Sequence, residues 1–159
     1  MSAAAPERSP APVVRDLIAD DREAVLRIDA LHTGGRKPDY WQDVFRRFVD
    51  RPARHRVGLG AEDENGELVG YVLGEVRAFE FGSDACGWVF SVGVDSGHLR
   101  SGVASRLLEE TLRRFRAAGV TTVRTMVRRN DIPVLSFFRA AGFTGGSFVQ
   151  LESNLEEGP

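Results

Sequence analysis

Hydrophobic residues recur with two different periods along the chain, and the period separates predicted helices from predicted strands. Alternation of apolar and polar residues predicts a first strand over residues 13–17. Helical spacing then predicts a helix that starts at Asp20, a flexible connector over residues 32–39, and a second helix that Asp39 caps. The first third of the chain is therefore expected to fold as one strand followed by two helices.

The middle of the chain is dominated by strand patterns. A hairpin is predicted over residues 57–76, with a tight turn at Asn65-Gly66 that needs positive φ angles. An apolar strand follows over residues 85–94, and apolar residues on both of its faces are typical of a central strand. Gly93 inside this strand predicts either a β-bulge or a close approach of another group to the backbone.

Helix and strand patterns alternate in the last third. The spacing predicts an amphipathic helix over residues 103–118 that ends at Gly119, and a strand over residues 121–127. A short helix over residues 134–141 and one or two closing strands over residues 143–152 complete the pattern. This order predicts a mixed α/β (α+β) sheet with helices on its faces.

The composition describes one mildly acidic domain. A chain of 159 residues with 42% hydrophobic residues fits a single globular domain. We place this domain at residues 13–155, after a proline-containing tail, residues 1–12, that we expect to be disordered. The formal net charge of −2 provides no basic excess for nucleic acid. No apolar run approaches the roughly 18 residues of a membrane span.

Side chains that commonly bind metals or form disulfides are sparse. The single cysteine, Cys86, excludes an intrachain disulfide and fits a reducing cytoplasm. Cys86 lies in an apolar run, where we expect a small buried hydrophobe. The three histidines, His32, His55 and His98, are scattered, so we expect exposed loop side chains and no metal site.

One segment between the apolar strand and the amphipathic helix has the features of an anion site. It reads Arg100-Ser101-Gly102-Val103-Ala104-Ser105. The first turn of a helix has unpaired N–H groups and a partial positive charge, and a glycine there lets a ligand approach closely. Two interpretations remain open from these residues alone: a cradle for a pyrophosphate, to which Arg100 adds a charge, or an ordinary strand-to-helix turn.

Several short segments follow one another in an order that is typical of one family. They include Val92-x-Val94-Asp95, Arg100-Ser101-Gly102-Val103-Ala104, Asn130-Asp131 and Gly142-Phe143. The order resembles the GNAT superfamily of acyl-CoA-dependent N-acetyltransferases. The resemblance implies a single mixed, mostly antiparallel sheet with helices on both faces. It also implies acetyl-CoA as the cofactor and an amine-bearing acceptor, and it is compatible with a homodimer.

The resemblance assigns the cofactor contacts mainly to the start of the amphipathic helix. The N–H groups that hold the pyrophosphate of coenzyme A are implied to lie within Leu99, Arg100, Ser101, Gly102, Val103, Ala104 and Ser105. Leu99 stands where the family has Arg or Gln, so Arg100 is the candidate for the side-chain charge. The pantetheine arm is expected to contact Asn130 or Asp131.

Direct attack of the amine on the thioester, without a covalent acyl-enzyme, is the chemistry that the resemblance implies. A backbone N–H near a bulge formed by Val92, Gly93 and Val94 is expected to stabilise the oxyanion, with Val94 as the candidate, and all three residues are expected to contact the cofactor. Phe138 is also assigned to the cofactor site, where many members have a tyrosine that protonates the leaving thiolate.

A carboxylate is expected to remove the proton from the attacking amine. Glu75 is the first candidate, because it follows Tyr71 and Leu73 with their parity on the strand beside the predicted acyl strand. Glu80 and Asp84 remain alternatives.

The acceptor side is expected near the connector between the first two helices. Asp39, Tyr40 and Trp41 follow its glycines, where the resemblance places the wall of the acceptor site. Trp41 also lies on the apolar face of its helix, so core packing is the alternative for Tyr40 and Trp41.

Since Phe138 lacks an acidic hydroxyl, a second function stays open: a non-catalytic acyl-CoA-binding or sensing domain.

Overall fold

A computed structural model describes residues 10–156, which form five strands and four helices. The strands are β1 (Val13–Asp16), β2 (Arg56–Glu62), β3 (Leu68–Arg77), β4 (Cys86–Val94) and β5 (Val123–Thr125). The helices are α1 (Arg22–Thr33), α2 (Pro38–Phe48), α3 (Val103–Ala117) and α4 (Ile132–Ala140). The chain divides into two compact units, Met1–Met126 and Val127–Pro159, and α4 belongs to the second.

The five strands form one sheet in their chain order, β1-β2-β3-β4-β5. Neighbouring strands are antiparallel except β4 and β5, which are parallel because α3 connects them by a crossover. Helices cover both faces of the sheet. A Cβ added at Gly70 of β3 would meet Val103 of α3. Gly93 pairs with the residue after Gly70, so a Cβ added there would point to the other face of the sheet, where it would meet Ile28 of α1. The predicted mixed, mostly antiparallel sheet with helices on both faces is confirmed.

The main apolar core lies between the sheet and the pair α1 and α2. Its large side chains are buried because each helix presents one apolar stripe to the strands. Burial of a side chain of this size stabilises a fold by about 1.5–3 kcal/mol. The core members include Val25, Ile28, Trp41, Val44, Phe45, Phe48, Tyr71 and Leu73.

The start and the end of α1 both differ from the prediction. A short 3-10 turn precedes the helix, and there Asp21, not Asp20, accepts a hydrogen bond from the N–H of Ile18 at 2.8 Å. At the other end α1 continues through His32 and stops at Gly34, whose φ of +82° ends the helix in the left-handed conformation. The connector is therefore shorter than predicted.

The first turn of α2 corrects the predicted role of Asp39. The helix begins at Pro38, with Lys37 as the residue before it, so Asp39 lies inside the first turn and does not cap it. Proline suits the first helical position because its fixed φ angle is helical and its missing N–H would have no partner there.

The hairpin turn uses one positive φ angle where the sequence suggested two. Gly66 has a φ of +77°, but Asn65 stays outside the left-handed region. The Asp63 carboxylate instead holds the turn, since it accepts hydrogen bonds from the N–H groups of Asn65 and Glu67, both at 2.9 Å.

The second unit contains α4 but not the predicted closing strands. Asp131 caps α4 by accepting a hydrogen bond from the N–H of Val134 at 3.2 Å. Within the described part of the chain, residues 143–152 form no strand, and Val149 and Leu151 are 78% and 91% exposed instead of packing on a sheet. Of the predicted tail, residues 1–9 lie outside the described range and residues 10–12 have no regular structure.

The exposed side of α3 carries a charge cluster centred on Glu110. Arg113 donates to its carboxylate at 2.7 and 2.8 Å, and Arg114 donates at 3.0 Å. The hydrogen bonds from Arg113 lower the pKa of Glu110 to about 2, against an ordinary value of 4.5.

We therefore expect Glu110 to stabilise the fold above its unfolded-state pKa and to lose this contribution as the pH falls from 4.5 to about 2. Since solvent screens the cluster, the contribution is at most about 1 kcal/mol. Urea unfolding of the parent and of Glu110→Gln at several pH values measures it. The two free energies of unfolding should differ at neutral pH and converge in acid; a difference that does not change with pH would contradict the assignment.

Candidate functional site

A β-bulge interrupts β4 at Phe90. Leu73 of β3 faces Ser91, and the next residue, Gly74, faces Val89, so Phe90 is left without a partner. The predicted bulge at Gly93 is wrong. Gly93 pairs in register, and a Cβ there would lie 2.7 Å from the Tyr71 ring, so the alternative of a close approach to the backbone explains the glycine.

β4 has an open edge directly after the bulge. β5 pairs only with Gly87, Trp88 and Val89. Within the described residues no strand pairs with residues 90–94 on this side. Such an edge offers backbone N–H and C=O groups to an extended ligand.

The bulge decides which N–H groups face the open edge. Before it, Gly87 donates toward β5, to the C=O of Thr122 at 2.9 Å; after it, Asp95 donates toward β3, to the C=O of Val69 at 2.8 Å. N–H directions alternate along a strand, and the extra residue shifts the alternation by one. The N–H groups of Val92 and Val94 therefore face the open edge.

His32 contacts this edge from α1. Its Nε2–H donates to the C=O of Val94 at 2.7 Å, which fixes the tautomer of the ring. His32 is exposed, as expected, but it lies on a helix and not in a loop. A sequence signal existed, because His32 follows Val25 and Ile28 on the sheet-facing stripe of α1.

The start of α3 presents unpaired backbone donors. Gly102 precedes the helix with a φ of +83°, and no side chain caps the first turn. The first N–H bonded to Gly102 is that of Arg106, at 3.1 Å, so the N–H groups of Val103, Ala104 and Ser105 are the orphan donors of the helix start. A Cβ at Gly102 would meet nothing within 4 Å, which shows open space at this end.

The turn before the helix is unusual in its backbone and its histidine. Arg100 has a φ of +63°, an uncommon conformation for a residue with a side chain. Arg100 is exposed, and the neighbouring Leu99 is 55% exposed. The Ser101 hydroxyl donates to the C=O of His98. His98 is half-buried, which corrects the expected exposed side chain, and its Nδ1 is a buried atom with no partner in the described chain.

Packing brings the start of α3 to the open end of β4. Val103 is buried against Gly70, where a Cβ would lie 2.7 Å from Val103 Cγ1. Gly70 is the pairing partner of Val94. The orphan donors of α3 and the edge-facing N–H of Val94 therefore lie at the same end of the sheet.

Glu75 has the strand position that the sequence predicted. It lies on the same face as Tyr71 and Leu73, opposite Trp88, and its carboxylate accepts from Arg77 at 3.2 Å. Its side chain is 23% exposed. The alternatives, Glu80 and Asp84, are exposed residues of the β3–β4 connection.

A partly buried polar cluster that the sequence did not reveal lies on this same face. The Asp29 cluster consists of Asp29, Thr33, Lys37 and Trp41. Asp29 Oδ2 accepts from Lys37 Nζ at 2.7 Å and from Trp41 Nε1 at 3.0 Å. The Trp41 ring meets the Tyr71 ring edge-on at 5.3 Å.

Tyr71 connects this face to the bulge, because its hydroxyl lies 3.1 Å from the hydroxyl of Ser91. Burial raises the pKa of Tyr71 above its usual range, so the hydroxyl stays protonated near neutral pH. No local motif indicated the Asp29 cluster, since only the packing of α1 on α2 brings its members together.

The predicted acceptor residues have different exposures. Asp39 is exposed and Tyr40 is 46% exposed, whereas Trp41 is fully buried in the core. Burial also raises the pKa of Tyr40.

Three predicted cofactor residues belong to the second unit. Asn130 is exposed, Asp131 is the cap of α4, and Phe138 is buried. The Phe138 ring packs edge-on against Phe137 at 5.0 Å and Phe143 at 5.1 Å.

The described residues 10–156 have neither a metal-binding cluster nor a membrane-spanning helix. They contain no group of three or more His, Cys, Asp or Glu side chains that could hold a metal ion. No helix in this range is long and apolar enough to cross a membrane. Cys86 is buried, as expected.

Known proteins share this architecture. The sequence matches the model of the Acetyltransferase (GNAT) family over residues 19–143. No curated protein sequence matches the chain. Aminoglycoside N-acetyltransferase AAC(6')-Iy in complex with CoA has a TM-score of 0.79 at 16% identity, over 95% of this chain and 99% of that one.

Two further solved structures are similar over 91% of this chain and 99% of their own. Aminoglycoside 6'-N-acetyltransferase AAC(6')-Ih from Acinetobacter baumannii has a TM-score of 0.74 at 15% identity. A transcriptional regulator from Bacillus halodurans C-125 has a TM-score of 0.76 at 16% identity. At such identities the structures establish the fold, and the family model covers most of the sequence. The chain therefore belongs to the GNAT acetyltransferase family.

Proposed function

We propose that this chain is an N-acetyltransferase that moves an acetyl group from acetyl-CoA to a primary amine by direct attack. One observation carries the proposal: unpaired backbone donors of the β4 edge and of the α3 start lie at the same end of the sheet. Membership of the GNAT family supports it, as does the fold shared with an N-acetyltransferase in complex with CoA.

The residues at this end of the sheet suit the chemistry of coenzyme A. The orphan N–H groups after Gly102 suit a pyrophosphate, because a helix start stabilises negative charge and Gly102 leaves open space beside it. Arg100 would add the charge that Leu99 lacks. The open edge of β4 suits an extended arm that contains amide groups. Asn130 and Asp131 remain the two candidates for an amide contact, and the Asp131 carboxylate also caps α4.

Bound acetyl-CoA would supply an activated thioester. We assign the N–H of Val94 to the thioester oxygen, where negative charge develops, and His32 binds the C=O of the same residue. The amine nitrogen bonds to the acetyl carbon, the carbon–sulfur bond breaks, and the amine proton passes to a carboxylate. Phe138 offers no proton, so the thiolate, with an ordinary pKa of about 8.5, takes one from solvent.

Glu75 is our choice for the carboxylate. It lies five residues along β3 from Gly70, the partner of Val94, so the amine proton reaches it through water. Glu75→Gln is expected to lower kcat by about 10²- to 10⁴-fold. The loss should be largest at lower pH, because hydroxide replaces the missing base as the pH rises. Glu80→Gln is the matched control and should retain the parental kcat. A pH–rate profile of Glu75→Gln identical to that of the parent would exclude Glu75.

Asp39 and Tyr40 are proposed to border the acceptor, since both are exposed next to the Asp29 cluster. Trp41 is fully buried and would act through the packing of α2. The aminoglycoside acetyltransferases of similar fold direct the choice of acceptors to be tested. A suitable panel contains an aminoglycoside, a polyamine, a free lysine and a peptide N-terminus.

Release of the CoA thiol, followed with each amine of this panel, tests the function. We expect amine-dependent release with at least one acceptor. Tight binding of acetyl-CoA without amine-dependent release would favour the alternative, a non-catalytic acyl-CoA-binding or sensing domain, for which the loss of the acid at Phe138 is the specific support.

A further inference from the structure

We propose that Asp29 and Thr33 form an alkylammonium site, that Lys37 fills it in the free protein, and that an ammonium group of the acceptor replaces Lys37 there. The acceptor would then be a diamine or polyamine, with one amine bound at Asp29 and another acetylated. This second part rests on the proposed function, whereas the existence of the site does not.

Lys37 shows what kind of group the site binds. Its Nζ lies 2.7 Å from Asp29 Oδ2 and 2.8 Å from Thr33 Oγ1. The Thr33 hydroxyl donates to the C=O of Asp29 at 2.9 Å, so its lone pairs remain for the ammonium group. Both acceptors belong to α1, and their spacing matches a primary ammonium group.

Asp29 is fixed in place and retains capacity for a further donor. Its side chain is only 8% exposed, and the indole of Trp41 holds Oδ2 at 3.0 Å. Both donors use Oδ2, and no hydrogen bond from the described residues goes to Oδ1. A carboxylate can accept about four hydrogen bonds, so Asp29 is not saturated.

The ammonium group of Lys37, in contrast, can move out of the site. Its side chain is 42% exposed and follows Gly34 and Gly35, where an added Cβ would meet nothing within 4 Å. Lys37 is also the only lysine of the chain, beside 20 arginines. An arginine would offer a planar fork in place of a compact ammonium group, so the one lysine stands where the site requires a primary ammonium.

The site lies close to the proposed reaction centre. Asp29 and His32 are three residues apart on α1 and so face the same side, about 5–6 Å apart at Cβ. His32 donates to the C=O of Val94, whose N–H is the proposed oxyanion donor. A short diamine could therefore reach both places.

Chemical rescue of Lys37→Ala tests the site without any need for turnover. The alanine keeps the Cβ of the lysine, so propylammonium is the missing part of the side chain. We expect Lys37→Ala to melt about 5 °C below the parent, because it leaves a buried carboxylate unpaired. Propylammonium should restore most of this loss, and tetramethylammonium, which has no N–H, should not.

The double variant Lys37→Ala with Asp29→Asn is the matched control and should not respond to propylammonium. Equal effects of propylammonium and tetramethylammonium on Lys37→Ala would overturn the site.

The acceptor role is tested with putrescine and butylamine as a matched pair of substrates. In Asp29→Asn, which keeps an oxygen for Trp41, the ratio of kcat/KM for putrescine over butylamine should fall about tenfold. An unchanged ratio would overturn the acceptor role and leave the proposed function intact. No turnover with any amine would overturn the proposed function and the acceptor role together, while the rescue experiment would still decide the site.

Discussion

Gly102→Asp is expected to abolish acetyl-CoA binding while the protein stays folded. The new carboxylate would bond to the orphan N–H groups of the α3 start and cancel the positive potential that attracts the phosphates. A side chain at a φ of +83° is strained, so the variant is expected to lose some stability but to stay folded. Calorimetry should show the Kd for acetyl-CoA raised by at least about 100-fold.

The other end of the same helix provides a matched control. Gly119 has a φ of +85°, nearly the value of +83° at Gly102, and a Cβ at either position would meet nothing within 4 Å. Gly119→Asp adds the same charge in the same backbone conformation, but at the helix end that disfavours negative charge. It should cost more stability than Gly102→Asp and retain the parental affinity. Unchanged affinity in Gly102→Asp, or equal loss in both variants, would mean that α3 does not bind the cofactor.

Val94→Pro is expected to give the second large effect, a loss of about 10²- to 10³-fold in kcat. The substitution removes one backbone N–H, and that N–H faces the open edge of β4, so the ladder to β3 keeps its hydrogen bonds. Acetyl-CoA should still bind through the start of α3. Single-turnover kinetics with saturating cofactor measures the effect on the chemical step.

Val94→Ala separates the N–H from the packing of the side chain. Val94 is 6% exposed, so both variants lose buried contacts, but only the proline loses the donor. Val94→Ala should keep most of the parental kcat. Equal values of kcat in the two variants would remove Val94 from the mechanism.

The order of elements was predictable because periodicity is strong where a helix or strand has one buried face. The apolar stripe of α3 and the glycine that follows it, Gly119, predicted the bounds of this helix to within one residue. The start of α2 was also readable: Pro38 belongs in the first helical turn, which moves Asp39 away from the capping position.

The bulge at Phe90 had no readable signal. A strand with apolar residues on both faces shows no alternation, so an extra residue does not disturb any pattern. Only the register against β3 reveals it. The same holds for the Asp29 cluster, whose hydrogen bonds depend on how α1 packs on α2 and not on any local motif.

The prediction of closing strands over residues 143–152 was wrong for a different reason. Residues 143–152 contain strand-forming side chains, but a strand also needs a partner and a surface to cover. In the described structure Val149 and Leu151 remain exposed, and residues 143–152 form no strand.

Hydrogen exchange of backbone amides, with and without acetyl-CoA, tests most directly whether the edge of β4 and the start of α3 form one acyl-CoA site. The cofactor alone should slow exchange at Val92 and Val94 and at residues 102–105, because these N–H groups would become donors to it. Gly119, at the far end of α3, should be unaffected. Binding of acetyl-CoA with unchanged exchange at both segments would contradict the proposed site.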